Sequence, residues 1–263
     1  MPVKSPNWTR PQLLLALHLY VRTPFGRQHS HNPDIIALAE TMGRTPGSVA
    51  MKLNNLTSLD SSEQARGIKG LKGASALDRQ VFSEFLSNPD EMAAQCELAW
   101  AAAHRLPTQS AGAADTSHIE FARAWRGETE AHVVQKVRLA QRFFRQSTLA
   151  VYQSRCCVSG LPIPELLVAS HIVPWAKANP AQRVLPSNGL CLSRLYDGAF
   201  DRGLITIGED LRIVLSSAIR EQLEDRAVNE AFGAIDGQRI QTPEKYPPDP
   251  DALAYHREMV FTG

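Results

Sequence analysis

The chain has 263 residues, enough for two compact domains or one large one. With 43% hydrophobic and 21% charged residues and a formal net charge of +1, its composition is that of an ordinary globular protein, and charge alone does not announce a nucleic-acid partner. No apolar run approaches the ~20 residues of a membrane span. The first residues, MPVKSPNWTR, lack the apolar core of a secretory signal. The cysteines (Cys96, Cys156, Cys157, Cys191) form no CxxC pair, which points to a reducing, cytoplasmic compartment and to packing roles. Cys156 and Cys157 are expected on opposite faces of a strand.

Residues 7–57 read as three helices. The first opens at a cap on Asn7 or Thr9. The second starts at Pro33 and stops at Gly43, and the third starts with Thr45 as cap and Pro46 in its first turn. The short spacing around Gly43 is that of a helix-turn-helix. An early Trp8, then Ile35 and Leu38-Ala39, then GRTPGSVAMKL resemble a Myb/SANT-like module. That resemblance implies that the third helix reads DNA, with Arg44, Ser48, Lys52, Asn54 and Asn55 facing it and Val49 and Leu53 in the core. A packing domain with a merely solvated polar face is the bland alternative.

Residues 58–77 (TSLDSSEQARGIKGLKGASA) read as a polar, Gly-rich loop in which Lys69 and Lys72 alternate with Gly67, Gly70 and Gly73. It is either a phosphate contact or a connector. Residues 77–104 read as helical, broken at Asn88-Pro89. The small polar stretch 105–117 is the best linker. The expected organisation is a helical DNA-recognition domain over 1–104, a linker over 105–117 and a second domain over 118–263. In the helical stretch 119–152, Arg138, Arg142 and Arg145 fall at third and fourth spacings and share a face. Such a stripe is either solvated or steers phosphate. His29 and His31 form an HSH loop without metal-ligand spacing.

From Cys156 to Ile207 the pattern is strand, loop, strand, helix, strand. Leu167–Ile172 alternates with period two and ends near His171. AKANPAQRVLPS is a loop, NGLCL a second strand, and SRLYDGAFD about two helical turns on which Asp197 and Asp201 project from one face. Taken singly, a strand-end His, an Asn-Gly and two Asp residues four apart are commonplace. In this order they supply what phosphodiester hydrolysis needs. A histidine near neutral pKa can deprotonate water, and carboxylates are oxygen ligands for a divalent ion.

SHIVPW, NGLCL and LYDGAFDRGLITI resemble the HNH endonuclease family in its bacterial, restriction-type branch, and RLAQRFFRQSTLAVYQSRC resembles that branch's lead-in helix. The resemblance spans 136–207. It implies an α+β protein in which an all-α N-terminal domain precedes a ββα-metal nuclease domain with flanking helices. It assigns His171 as general base, Asn188 as the residue that holds the loop, and Asp197 and Asp201 as ligands of Mg²⁺ or Mn²⁺, with Co²⁺ or Ni²⁺ as alternatives. Arg202 is placed near phosphate. Double-stranded DNA is the implied substrate, a homodimer would supply the two cuts of a double-strand break, and modified bases are a candidate target. Two departures stand out. Many family members carry Asp or His before the base, where this chain has Ser170, and Tyr196 stands where a histidine would be unsurprising. The alternatives are a DNA-binding regulator with a degenerate nuclease module and a scaffold that binds no nucleic acid.

After Ile207, residues 204–216 read as a hairpin, SAIREQLEDRAVNEAF as one amphipathic helix, and the Pro-rich arm as ending in a last helix that packs back.

Overall fold

The computed structural model describes residues 7–105 and 130–263. The chain is α+β and divides into two compact units, Met1–Phe143 and Phe144–Gly263. The division falls inside a long helix, Glu130–Val151. The expected linker lies almost wholly outside the described residues, as do residues 119–129 of the expected helix.

The first unit is helical. α1 (Arg10–Arg22) starts at Thr9, whose side chain and backbone exchange bonds with Gln12 in a capping box. α2 (Pro33–Met42) and α3 (Pro46–Thr57) follow as the caps and prolines predict. The 58–77 segment is not all loop. Asp60 caps a short helix, α4 (Ser61–Ala65), before α5 (Ala76–Ser87) and α6 (Pro89–His104). α1 packs against α6, α3 and α5, burying Leu13, Leu17, Tyr20, Leu53 and Phe82. Each such side chain contributes about 1.5–3 kcal/mol of burial.

Charges are also buried here. Lys52 Nζ lies 2.7 Å from the Asp78 carboxylate, with side-chain exposures of 6% and 0%. Glu97 receives His18, Arg22 and Arg142. Burial lowers the Arg22 pKa to about 10, Glu97 partly offsetting it, and pushes the His18 pKa well down.

The expected reader residues are therefore mostly spent inside the unit. Lys52 neutralises Asp78, Asn55 is buried and donates to the Gly73 carbonyl, and Asn54 donates to the carbonyls of Gln28 and Ala50. Arg44 donates to Gln12 and the Asn7 carbonyl and lies over the Trp8 ring, 4.2 Å from its centroid. Ser48 sits half-buried in the first turn of α3. The face that a reader helix would offer to DNA is turned to α5 and its lead-in loop. The arginine stripe is likewise divided in use. Arg138 is exposed, Arg142 is paired with Glu97, and Arg145 donates to the Leu167 carbonyl.

In the second unit, the end of α7 (Glu130–Val151) leads to β1 (Leu167–His171), which pairs antiparallel with β2 (Gly189–Ser193). The register sets His171 opposite Gly189 and Ser170 opposite Leu190. The connection is not a plain loop: it carries α8 (Pro180–Val184) and a 3-10 turn over Pro186–Asn188. Ser193 caps α9 (Arg194–Asp201), which packs on both strands, and β3 (Ile205–Ile207) and β4 (Ile213–Leu215) form the expected hairpin.

Two expectations are corrected. The predicted helix over 217–232 is broken into α10 (Ser217–Arg220) and α11 (Arg226–Phe232), because Asp225 recaps the backbone amides of Ala227 and Val228. Cys156 and Cys157 lie in a turn rather than a strand, both buried in one core, with the Ser193 amide donating to Cys156 Sγ. The last helix, α12 (Pro250–Met259), packs on β3. Its buried His256 stacks on Phe200 and bonds to Thr206 and the Phe200 carbonyl. Among the described residues, no helix is long and apolar enough to cross a membrane.

Candidate active site

His171 closes β1 with its ring between two aromatics. Phe144 of α7 stacks on it at 3.6 Å, 15° from parallel, and Trp175 meets it edge-on at 5.6 Å. Its Nε2 lies 3.1 Å from the Arg183 carbonyl. A carbonyl only accepts, so Nε2 carries the proton, and in the neutral ring the lone pair is on Nδ1.

That carbonyl is itself held in place. Asn188, 1% exposed, accepts from the Val173 amide at 2.8 Å and donates to the carbonyls of Val173 and Gln182 at 3.1 and 2.9 Å. Its backbone carbonyl also accepts from Ile172. One side chain thus ties both ends of the connection between His171 and Arg183. Arg183 adds a bond to the Trp175 carbonyl.

The carboxylates are less uniform than the sequence suggested. Asp197 is half-buried on α9, and burial raises its pKa. Ser170 and the guanidinium groups of Arg194, Arg145 and Arg202 oppose that rise. Ser170 is 3% exposed, and its Oγ has no hydrogen-bond partner of good geometry even though it influences Asp197. Asp201, one turn on, is exposed. Among the described residues no three His, Cys, Asp or Glu side chains come together as a metal cage.

The donor set fits a divalent ion only of the kind that takes one carboxylate and a neutral oxygen from the protein and the rest from water and phosphate, as Mg²⁺ does. Asp197 and the Ser170 hydroxyl are the carboxylate and the neutral oxygen that stand together here. Tyr196 is turned elsewhere, its hydroxyl donating to the Ala231 carbonyl at 3.1 Å. Sequence reasoning missed three contributors: Phe144, Arg183 through its backbone, and Arg194. Only the lead-in helix pattern hinted at the first.

A two-stranded antiparallel pair with a helix laid across it gives a ββα arrangement, with a tautomer-fixed histidine at the end of β1 and a half-buried carboxylate on α9. Residues 156–208 match the HNH endonuclease family model. A domain of that family implies a phosphodiester-hydrolysing nuclease that uses a divalent metal. The match does not extend to the N-terminal helices, and the Myb/SANT-like resemblance has no support from the comparisons. Comparison with curated proteins finds no match. Among solved structures, the chain is similar to a protein titled "Modification dependent TagI restriction endonuclease", at 21% identity and a TM-score of 0.32, over 46% of this chain. The chain spans 38% of that protein's length.

Proposed function

We propose that the protein is a metal-dependent, restriction-type DNA endonuclease in which His171 is the general base. The observation that carries this reading is the bond from His171 Nε2 to the Arg183 carbonyl. It puts the proton on Nε2 and so makes Nδ1 the basic nitrogen of the ring, and the same carbonyl stabilises the imidazolium that forms when Nδ1 takes a proton from water. Phe144 and Trp175 restrict the ring's rotation, and Asn188 fixes the carbonyl by holding the connection that carries it. Both act by positioning.

Asp197 and Ser170 would hold the divalent ion, which supplies charge neutralisation at the scissile phosphate and the leaving oxygen. Asp201, the other carboxylate on α9, is the exposed alternative to Asp197. Arg194 and Arg202 are exposed beside Asp197, and we assign them, with Arg145, to the phosphate oxygens.

The test is cleavage of unmodified and cytosine-modified plasmids in Mg²⁺, Mn²⁺, Co²⁺ and Ni²⁺. Cutting is expected with wild type and Asp201→Asn, and is lost in His171→Ala and Asp197→Asn. A preference for the modified plasmid would make the enzyme modification-directed. Metal-dependent cutting by His171→Ala at the wild-type rate sinks the mechanism. Ser170, a hydroxyl where many family members carry Asp or His, favours a second reading, a DNA-binding regulator with an inactive module. Absence of metal binding and of cutting on every plasmid would select it.

A further inference from the structure

The segment between α3 and α5 borders an open pocket of about 510 Å³ in the first unit, lined among others by Ser58, Gln64, Ile68, Lys69, Lys72 and Arg79. Every ionisable side chain in the lining is a cation. The acids nearby are already matched: Glu63 by Arg66, Asp78 by Lys52, and Asp60 by Tyr20 and Ser62. Lys69 and Lys72 are exposed and form no ion pair among the described residues. Arg79 is exposed and donates to the Ala74 carbonyl.

The wall is also preformed. Gly70, at φ +58°, passes so close to the end of α3 that a Cβ there would meet Asn54 O at 2.5 Å and Ser58 N at 2.6 Å. The Leu71 amide donates to Asn54 O, the Ile68 amide to Glu63 O, and the Gln64 side chain to Ser58 O. Gly70 therefore seats the backbone between the two lysines against the end of α3.

We infer that this pocket is a phosphate-binding site for the backbone of the DNA substrate, so that the first unit grips DNA through the Gly/Lys loop and Arg79 and not through α3. The inference rests on the nuclease reading for its choice of polyanion. The physical fit is its own: three cations without a carboxylate partner among the described residues, on one preformed rim, meet a duplex that presents a phosphate charge every ~1.7 Å along its axis.

The test uses the full chain in EDTA, where no cutting occurs. Fluorescence anisotropy of a labelled duplex is measured against salt for wild type and for Lys69→Ala/Lys72→Ala/Arg79→Ala, with Arg226→Ala on α11 of the second unit as the control. The triple variant is expected to bind about tenfold or more weakly, with a slope of log affinity against log salt reduced by about two to three, while the control is unchanged. Circular dichroism checks the fold, and the single changes Lys69→Gln and Lys72→Gln are each expected to weaken binding about threefold. Wild-type affinity and slope in the triple variant overturn the proposal, as does absence of duplex binding by wild type. It is equally overturned if inorganic phosphate raises the melting temperature of wild type, but not of the triple variant, while DNA binding is the same in both. If wild type fails to cut any plasmid with metal but shows the pocket-dependent binding, the nuclease reading fails and the pocket stands.

Discussion

The two units treat their polar residues in opposite ways. In the second unit, the residues singled out for chemistry are held in place by the fold with a face left over for work. Asn188 spends both amide protons and an oxygen lone pair on the loop, so that His171 can present a defined tautomer. In the first unit, the residues singled out for recognition are consumed by the fold itself. Lys52 and Asn55 face inward, and the uncompensated cations lie in the Gly/Lys loop. A basic residue on a helix announces a partner only when no carboxylate of the same unit reaches it first.

The largest expected effect tests that contrast. Lys52→Ala strands the Asp78 carboxylate in a dry interior, and unfolding of the first unit is expected to become easier by about 3–5 kcal/mol. Lys52→Met/Asp78→Leu removes both charges and is expected to recover most of the loss. DNA binding by the folded Lys52→Ala protein in the cold should be near wild type. A variant of normal stability that binds DNA tenfold more weakly would restore α3 as a reader.

The next effect is set by pH. Burial holds the His256 pKa near 4, below its ordinary 6.5, with Arg257 adding to the depression and the Phe200 carbonyl opposing it. The unfolded chain binds a proton there between those two values and the folded chain does not. The neutral ring's contribution is thus complete above pH 6.5 and is lost as pH falls toward 4, by about 3 kcal/mol in total. Denaturant unfolding of the second unit should show this decline in wild type and a shallower one in His256→Gln. Equal slopes would mean that His256 is not the group titrating.

Asn188→Ala is expected to cost about 2–3 kcal/mol, since it leaves buried backbone groups of Val173 and Gln182 without partners. It should also lower the cleavage rate at least tenfold by freeing the Arg183 carbonyl. Loss of stability with an unchanged rate would detach Asn188 from the site.

These predictions also mark how far the sequence could be read. The strand, strand, helix order, and with it the placing of His171 at a strand end, Asn188 at a strand entry and Asp197 on a helix, was legible because each element is tied to a local signal: a period of two, an Asn-Gly entry and a short helical spacing. The breaks at α4, α8 and α11 were not foreseen, because each begins at an Asn or Asp cap inside a polar stretch that reads equally well as loop. The fate of Lys52 was illegible for a deeper reason. Its partner Asp78 lies in another helix, and no periodicity within α3 records a carboxylate that arrives from outside it. The Ser170 hydroxyl marked the uncertain metal shell in the sequence, and it is still the donor without a firm partner in the fold.

Gly189→Ala is the smallest change and the sharpest probe of the second unit. Gly189 has ordinary extended torsions, φ −130° and ψ 144°, so alanine costs no backbone strain. Its Cβ would, however, meet Thr148 Oγ1 at 2.8 Å and the Phe144 ring at 2.9 Å. Phe144 is the ring stacked on His171, so the methyl group pushes on the base through one intermediate. The stability cost is expected to be about 1–3 kcal/mol, the usual range for overpacking. The effect on turnover should exceed it in consequence: kcat falls while KM stays near wild type, because DNA contacts are untouched and only the ring's aim has shifted. Gly189→Ala/Phe144→Leu makes room for the methyl group and should regain stability without regaining kcat, since leucine cannot stack on the imidazole. Full recovery of kcat in that double variant would show that space around His171, and not the aromatic stack, is what Phe144 provides.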